Sequence, residues 1–180
     1  DDDNRIWIGT RDGLSLYNRR QNEFSNFYYK KRGQNVAVMN IVPLQKDWLM
    51  IGTAEGILLF DVKGGHFMSD TLSTALHLLK PSALVRQGDC VYIGTESGVY
   101  TYSLQDGTLK KLVELPTKAR IHGILCQMFN RIWIATEGSG LYMYDIKAKK
   151  LKNYRYEDKA SGLNSNYVRS LSLDQENRLW

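Results

Sequence analysis

The sequence predicts an all-β fold built from repeated units, and three observations lead to that prediction. A phrase that runs from Arg5 as RIWIGTRDGLSLYN returns as WLMIGTAEGILLFD, CVYIGTESGVYTYS and RIWIATEGSGLYMYD. The equivalent small residues of the four copies, Gly9, Gly52, Gly94 and Ala135, lie 43, 42 and 41 residues apart. The chain also contains 11 Tyr and 4 Trp but only 3 Pro, which favours strands. Because a period of about 40 to 45 residues is typical of a four-stranded blade, the predicted fold is a β-propeller.

Each repeat is interpreted as four short antiparallel strands, named A to D in chain order. Strand A is an apolar stretch, and it begins at Met39, Ser82, His122 and Tyr167. A turn with Asn or Asp follows, since these residues tolerate the left-handed backbone conformation. The turn residues are Asn4, Asp47, Asp89, Asn130 and Asn177. Strand B is the WIGT run, whose continuous apolar character indicates burial on both faces.

Strand C begins at the Gly-Leu of the phrase, and strand D is the charged segment that follows a second turn. Gly64-Gly65 and Asp106-Gly107 are two-residue hairpin signals for that turn. Strand D is predicted at the outer edge of each blade, where basic residues discourage edge-to-edge aggregation. These residues are Arg19, Arg20, Lys110, Lys111, Lys147, Lys149, Lys150 and Lys152.

Three further features are interpreted as parts of the blades. The small residue of strand B lets a neighbouring sheet approach closely. The tryptophans of strand B, Trp7, Trp133 and Trp180, are predicted to be core residues because of their place in the repeat. The segment DTLSTALHLLK from Asp70 has apolar residues at helical spacing, but it lies between strands D and A. It is therefore predicted to be a connecting loop with one helical turn.

The whole chain, residues 1–180, is predicted to be a single section of a propeller. Its repeats fall at approximately 1–38, 39–80, 81–120 and 121–165, with a partial repeat at 166–180. The opening DDDNRIW aligns with the closing DQENRLW, so the chain enters and leaves at the same phase of the repeat. A ring of four blades needs this phrase only once. We therefore expect about four blades of a larger propeller.

Composition limits the function classes. The net charge of +5 favours acidic partners only weakly and makes no case for nucleic acid. Cys90 and Cys126 lack metal-site spacing, and buried thiols are the favoured interpretation, with one bridge as the alternative. His66, His77 and His122 lie in different repeats. We expect no catalytic residues, no metal site and no cofactor in this chain.

The full repeat pattern resembles the two-component regulator propeller repeat. The pattern is Asp, turn, apolar-Trp-Ile-Gly-Thr, variable residues, Gly-Leu, two residues and Tyr-Asp, and the resemblance covers essentially all 180 residues. The fullest matches are Leu179-Trp180, Ile132 to Thr136 with Gly140, Leu141, Tyr144 and Asp145, and Ile6 to Thr10 with Gly13, Leu14 and Tyr17. GLNSNYVRSLSLDQENRLW from Gly162 is similar to the family's entry into a blade. Met50, Tyr92 and Ala135 depart from the pattern.

The resemblance implies a periplasmic sensor region of a hybrid two-component system, chiefly of Bacteroides-type bacteria. In that family two seven-bladed propellers and an immunoglobulin-like domain precede a membrane helix, a histidine kinase, a receiver and a DNA-binding regulator. The implied ligand is an oligosaccharide, and the implied output is regulation of glycan-utilisation genes through a homodimeric ectodomain. This region itself is expected to contact neither membrane nor nucleic acid, and the kinase's catalytic domains are absent from it.

Ligands of propellers commonly bind the face that is shared by the B–C turns and the D–A connections. The candidates from the B–C turns are Arg11, Asp12, Glu55, Glu96 and Glu137, and those from the connections are Lys30, Arg32, Asn35, Arg120, Asn164 and Asn166. The rings of Tyr28, Tyr29 and Tyr156 are candidates for stacking on sugars. Ordinary turn chemistry with solvated charges is the structural alternative. The functional alternatives are a non-catalytic scaffold for protein–protein interaction or dimerisation and, behind it, a propeller lyase or hydrolase.

Overall fold

Antiparallel sheets make up most of the structure, a computed structural model. It describes residues 4–45, 47–68, 74–128, 130–157 and 162–180. The chain forms two compact units, residues 1–86 and 87–180. Among the described residues, no helix has both the length and the apolar character that crossing a bilayer requires.

The first unit contains a three-stranded sheet, a small hairpin and a four-stranded sheet. The three-stranded sheet has the order β1-β2-β3, with β1 (Ile6–Thr10), β2 (Gly13–Asn18) and β3 (Glu23–Phe27). The hairpin consists of β4 (Lys30–Lys31) and β5 (Gln34–Asn35). The four-stranded sheet has the order β6-β7-β8-β9, with β6 (Val38–Gln45), β7 (Trp48–Thr53), β8 (Gly56–Asp61) and β9 (His66–Met68).

Two further four-stranded sheets follow a single helical turn, α1 (Thr74–His77). The first has the order β10-β11-β12-β13, with β10 (Ala83–Gln87), β11 (Cys90–Thr95), β12 (Gly98–Ser103) and β13 (Leu109–Glu114). The second has the order β14-β15-β16-β17, with β14 (Ile121–Gln127), β15 (Arg131–Thr136), β16 (Leu141–Asp145) and β17 (Lys150–Tyr154). Consecutive strands pair within each sheet, which is the topology of a propeller blade.

The predicted strand pattern is confirmed in these four sheets. The three four-stranded sheets contain strands A, B, C and D in that order, and the three-stranded sheet contains B, C and D. The helical turn α1 confirms the described part of the predicted connecting loop, whereas residues 70–73 of that loop lie outside the described residues.

The strand A predicted from Tyr167 is wrong. A strand needs a hydrogen-bonded neighbour along its length. Here Ser172 and Trp180 exchange backbone hydrogen bonds of 3.0 and 2.9 Å, and Leu173 forms an isolated antiparallel bridge with Leu179. Residues 172–180 therefore form a turn that these bonds close, and no strand begins at Tyr167.

The small residues of strand B lie where the next sheet comes closest. A Cβ at Gly9 would lie 2.8 Å from Cγ1 of Val38, the first residue of β6. A Cβ at Gly94 would lie 3.0 Å from Cγ2 of Ile121, the first residue of β14. The predicted close approach of neighbouring sheets at these positions is confirmed.

Aromatic side chains fill the core of the first unit. The ring of Phe60 is fully buried, and its centroid lies 5.4 Å from that of Trp7 and 4.9 Å from that of Phe27. Trp7 packs against the core cluster, so its predicted place is confirmed. Trp133 is half-buried, with its indole N–H donating to Gln127 Oε1 at 2.8 Å.

The core prediction for Trp180 is wrong. Its side chain is 71% exposed, and its indole N–H donates to Asp174 Oδ2 at 2.9 Å. Trp180 lies outside the strands, so strand B does not carry it into a sheet interior.

The turn predictions are confirmed in most repeats. Positive φ values of 57°, 63° and 59° occur at Asn4, Asn130 and Asn177. In the third sheet, Gly88 has the left-handed backbone with φ of 58°, and Asp89 next to it does not. The basic residues predicted for strand D and its turn are exposed at the sheet edges.

Candidate functional site

The turns between strands B and C share one hydrogen-bonded construction. The threonine that ends strand B donates its hydroxyl to the carbonyl oxygen of the glycine before or at the start of strand C. The distances are 3.1 Å for Thr10–Gly13, 2.8 Å for Thr53–Gly56, 3.1 Å for Thr95–Gly98 and 2.6 Å for Thr136–Gly140. In the second sheet the same hydroxyl accepts the Glu55 N–H at 3.1 Å. The Glu55 carboxylate is left exposed at the tip of the turn.

The glycine of this turn lies against the backbone that follows strand C. Gly56 has φ of 136°, and a Cβ there would lie 1.9 Å from the carbonyl oxygen of His77. At Gly98, with φ of 134°, the corresponding distance to the carbonyl oxygen of Val113 is 2.1 Å. Only glycine accepts both this backbone and this approach. The B–C turn and the end of strand D, or the connection after it, are thereby held side by side within each sheet.

A short basic hairpin forms the connection between the first two sheets. It pairs β4 with β5, and its tip has positive φ at Arg32 (51°) and Gly33 (81°). Positive φ at both tip residues is the requirement of a type I′ turn, which suits a two-residue hairpin loop. The Val36 N–H donates to the Tyr29 carbonyl at 2.9 Å and closes the base of the hairpin.

The hairpin meets the B–C turn of the second sheet at an ion pair. Lys31 Nζ lies 2.9 Å from Glu55 Oε2. A depression of about 250 Å³ lies beside this pair and is lined by Lys31, Arg32, Gln34, Asn35, Val36, Ala37, Ala54 and Glu55. We call this depression the Lys31–Glu55 groove.

Positive charge surrounds the carboxylate of the groove. The hydrogen bond from Lys31, followed by the charge of Lys31, lowers the pKa of Glu55, and the charges of Lys80 and Arg32 act in the same direction. The groove thus combines ammonium, guanidinium and amide donors with one carboxylate acceptor. Such a set recognises ligands that carry hydroxyls together with carbonyl or carboxylate oxygens.

The groove brings together three of the predicted site residues, Arg32, Asn35 and Glu55. Lys30 lies beside it in β4, but the ion pair is made by Lys31, which sequence reasoning missed. The run Lys30-Lys31-Arg32 is the feature of the sequence that indicates a basic cluster here. Which of its two lysines faces Glu55 depends on the register of a two-residue strand.

The other candidates of the first unit lie elsewhere. Arg11 and Asp12 are exposed in the first B–C turn, and neither lines the groove. Tyr28 is 56% exposed, as a sugar platform requires. The ring of Tyr29 instead lies 5.7 Å from that of Phe67 and packs against the core.

In the second unit the turn candidates form a smaller polar cluster. Glu137 Oε2 lies 3.6 Å from His122 Nε2, and the Glu137 N–H donates to the Arg120 carbonyl at 2.9 Å. Sequence reasoning considered His122 only as a metal ligand and missed this pairing. Glu96 is exposed at the tip of its own turn.

Asn166 holds the connection after β17 in place. Its side-chain oxygen accepts the Tyr156 N–H at 2.8 Å, and its carbonyl accepts the Gly140 N–H at 2.9 Å. Asn164 and Tyr156 are exposed nearby in the sequence. Within the described ranges, no group of three or more His, Cys, Asp or Glu side chains is placed to hold a metal ion.

The ion pair of the groove predicts a specific titration. Because Lys31 stabilises the carboxylate, NMR should show Glu55 titrating below its usual pKa of 4.5, and Lys31→Met should move its pKa upward. The pair's contribution to stability is present above the usual pKa and is lost as the pH falls through the lowered value. Lys30→Met is the matched control, since neighbouring residues of a strand point to opposite faces. A larger shift from Lys30→Met than from Lys31→Met would contradict the geometry.

Comparison with solved structures identifies the fold. An extracellular domain assigned to the hybrid two component system BT4673 of Bacteroides thetaiotaomicron matches 98% of this chain with a TM-score of 0.82 and 21% identity, and the chain covers 24% of that protein. A second extracellular domain, of system BT3049 from the same organism, matches 98% with a TM-score of 0.58 and 23% identity, over 30% of its length. A streptogramin B lyase structure matches 100% of this chain with a TM-score of 0.71 and 15% identity, over 59% of its length.

These likenesses show an all-β, propeller-like fold. The chain spans about a quarter to a third of the two extracellular domains. No protein-family model matches the chain, and no curated protein sequence matches it. Two of the three structures are extracellular domains of hybrid two-component systems. The repeat pattern resembles the sensor regions of such systems, and the chain shares the fold of these two domains.

Proposed function

We propose that this chain is part of the periplasmic sensor region of a hybrid two-component system and that its turn face binds an oligosaccharide. The observation that carries the proposal is the match of 98% of the chain to an extracellular domain of such a system, with a TM-score of 0.82. On this proposal the four sheets are blades of a larger, seven-bladed propeller. The parent protein then carries the histidine kinase, and this region has no catalytic role.

The Lys31–Glu55 groove is the best-supported ligand site on the proposed face. Its donors and its acceptor suit the hydroxyls of a sugar, and Tyr28 offers an exposed ring close by in the sequence. The side chains of Lys31 and Glu55 remain 39% and 51% exposed, so their ion pair is weak in water. A ligand can therefore replace this pair at small cost in free energy.

The surroundings of the groove keep its parts in position. The hydrogen bond of Thr53 and the close approach at Gly56 fix the turn that carries Glu55. The type I′ tip fixes the hairpin that carries Arg32. A ligand that binds these groups better in one state of the sensor dimer shifts the population toward that state and so biases the kinase.

Calorimetric titration of the sensor region with a panel of neutral and acidic oligosaccharides tests the proposal. We expect saturable binding of at least one sugar class. Arg32→Met and Glu55→Gln should each weaken it roughly tenfold or more, because each removes a charge-assisted hydrogen bond. Lys147→Met, in the exposed turn between β16 and β17, is the control and should leave the affinity unchanged.

The outcomes separate the proposed functions. If sugar binding survives both groove substitutions, the sensor function stands, but the ligand binds at another site. If no sugar binds and sedimentation instead shows self-association or capture of a protein partner, the interaction-scaffold function replaces the sensor.

A further inference from the structure

The fourth sheet carries an aromatic pair that repeats the geometry of a pair in the first sheet. Trp133 on β15 and Tyr154 on β17 have ring centroids 5.7 Å apart and an interplanar angle of 37°. Trp7 on β1 and Phe27 on β3 have centroids 5.9 Å apart and an angle of 44°. Each pair joins strand B to strand D, and the two tryptophans hold the same repeat position. The pairs therefore mark the same face of their sheets.

In the first unit, the next sheet covers this face with an aromatic ring. The ring centroid of Phe60 on β8 lies 5.4 Å from that of Trp7 and 4.9 Å from that of Phe27. Phe60 is fully buried in one cluster with Leu14 and Leu49. Since β8 is strand C of the second sheet, the ring that covers one sheet comes from the repeat after it.

In the second unit, the same face borders a cavity of about 450 Å³. Trp133 and Tyr154 line this cavity together with Leu141 and Leu179, which hold the repeat positions of the two leucines just named. Among the residues that the structure describes, no third ring lies against Trp133 or Tyr154. The cavity thus has the same walls as the site that Phe60 fills in the first unit.

The segment that opens the next repeat already lies along the fourth sheet. The Val168 N–H donates to the Thr136 carbonyl at 3.0 Å, and Gln127 Nε2 donates to the Asn177 carbonyl at 3.0 Å. Leu179, near the end of this segment, lines the cavity. The cavity is therefore continuous with an interface between the fourth sheet and the beginning of the following repeat.

Exposed charged side chains complete the lining of the cavity. Lys152 Nζ lies 4.5 Å from the centroid of the Tyr154 ring, and Arg155 and Glu157 line the same cavity. Apolar walls bordered by exposed charged groups are typical of the centre and rim of a protein interface. The lining therefore suits an apolar side chain that is carried by a polypeptide.

We propose that this cavity is the docking site for one aromatic side chain, Phe or Tyr, on strand C of the repeat that follows. Strand C carries an aromatic residue at one fixed position in the four copies, namely Tyr17, Phe60, Tyr102 and Tyr144. This residue lies ten positions after the strand B site that Trp180 holds in its own repeat, and eleven in the fourth copy. The docked ring should therefore lie ten or eleven residues after Trp180 in the parent protein. The inference rests on the proposed larger propeller and names the contact that extends it.

Photo-cross-linking of the whole sensor region tests the proposal. Lys152→p-benzoylphenylalanine puts a photoreactive group beside the cavity and retains both rings of the aromatic pair. After irradiation and proteolysis, we expect mass spectrometry to find its main cross-link on the strand that carries the aromatic residue ten or eleven positions after Trp180. Lys147→p-benzoylphenylalanine, in the exposed turn of the same sheet, is the matched control and should lose this cross-link.

The other outcomes identify a different occupant. Cross-links only to residues 162–180, only to a second copy of the chain, or to no peptide at all would overturn the docking site. Calorimetry reads the proposed function separately. Sugar binding without the cross-link would contradict the docking site alone, and the cross-link without sugar binding would contradict the proposed ligand alone.

Discussion

Replacing Gly98 with alanine should lower the free energy of unfolding by about 4 kcal/mol, one of the two largest effects expected of a single substitution in this chain. Gly98 has φ of 134°, a backbone conformation that residues with a Cβ rarely adopt. The added Cβ would also lie 2.1 Å from the carbonyl oxygen of Val113 and 3.0 Å from Cα of Glu114. Strain and overlap therefore occur together.

The overlap cannot be relieved by turning a side chain. Val113 pairs with Val99, and Glu114 pairs with Gly98, so the obstructing atoms belong to the β12–β13 ladder itself. Moving them breaks ladder hydrogen bonds or displaces β13. A strained backbone and an overpacked contact each cost about 1–3 kcal/mol, so the expected loss of about 4 kcal/mol lies in the middle of their combined range.

Urea denaturation of the wild type and two variants measures this effect. Gly88→Asn is the matched control in the same sheet: φ is 58° at Gly88, nothing lies within 4 Å of an added Cβ, and Asn tolerates this conformation. Its free energy of unfolding should stay within about 1 kcal/mol of the wild type. A Gly98→Ala variant as stable as Gly88→Asn would show that the turn lacks the close contact described above.

The strands could be predicted because each repeat carries the same pattern of side chains. Strand B is apolar on both faces in all copies, so the period alone located β7, β11 and β15. The repeat pattern shows a glycine at the start of strand C, but it does not show why this position requires glycine. The carbonyl oxygen that excludes a Cβ at Gly56 belongs to His77, far along the chain, and only the folded backbone brings the two together.

The position of the candidate site could be predicted from the sequence, but its side-chain contacts could not. The repeat put Glu55 in a turn and Arg32 in the connection before it, and the groove contains both. The choice between Lys30 and Lys31 depends on a hairpin with two residues in each strand, where a shift of one residue exchanges the two faces. The failed strand from Tyr167 has a similar cause, because pairing with a neighbour and not sequence pattern decides whether an apolar run becomes a strand.

Replacing Phe60 with alanine should cost about 3–5 kcal/mol of the free energy of unfolding, comparable to the effect of Gly98→Ala. Phe60 is 0% exposed, and its ring contacts those of Trp7, Phe27 and Phe67, so alanine would leave a cavity and remove three aromatic pairs. The matched control is Phe24→Ala, since Phe24 on β3 is 57% exposed and should cost about 1 kcal/mol or less. Because Trp7 belongs to the first sheet and Phe60 to the second, the fluorescence of Trp7 should shift to the red on Phe60→Ala as its ring becomes exposed. Equal stability losses at Phe60 and Phe24 would mean that the two sheets do not share this core.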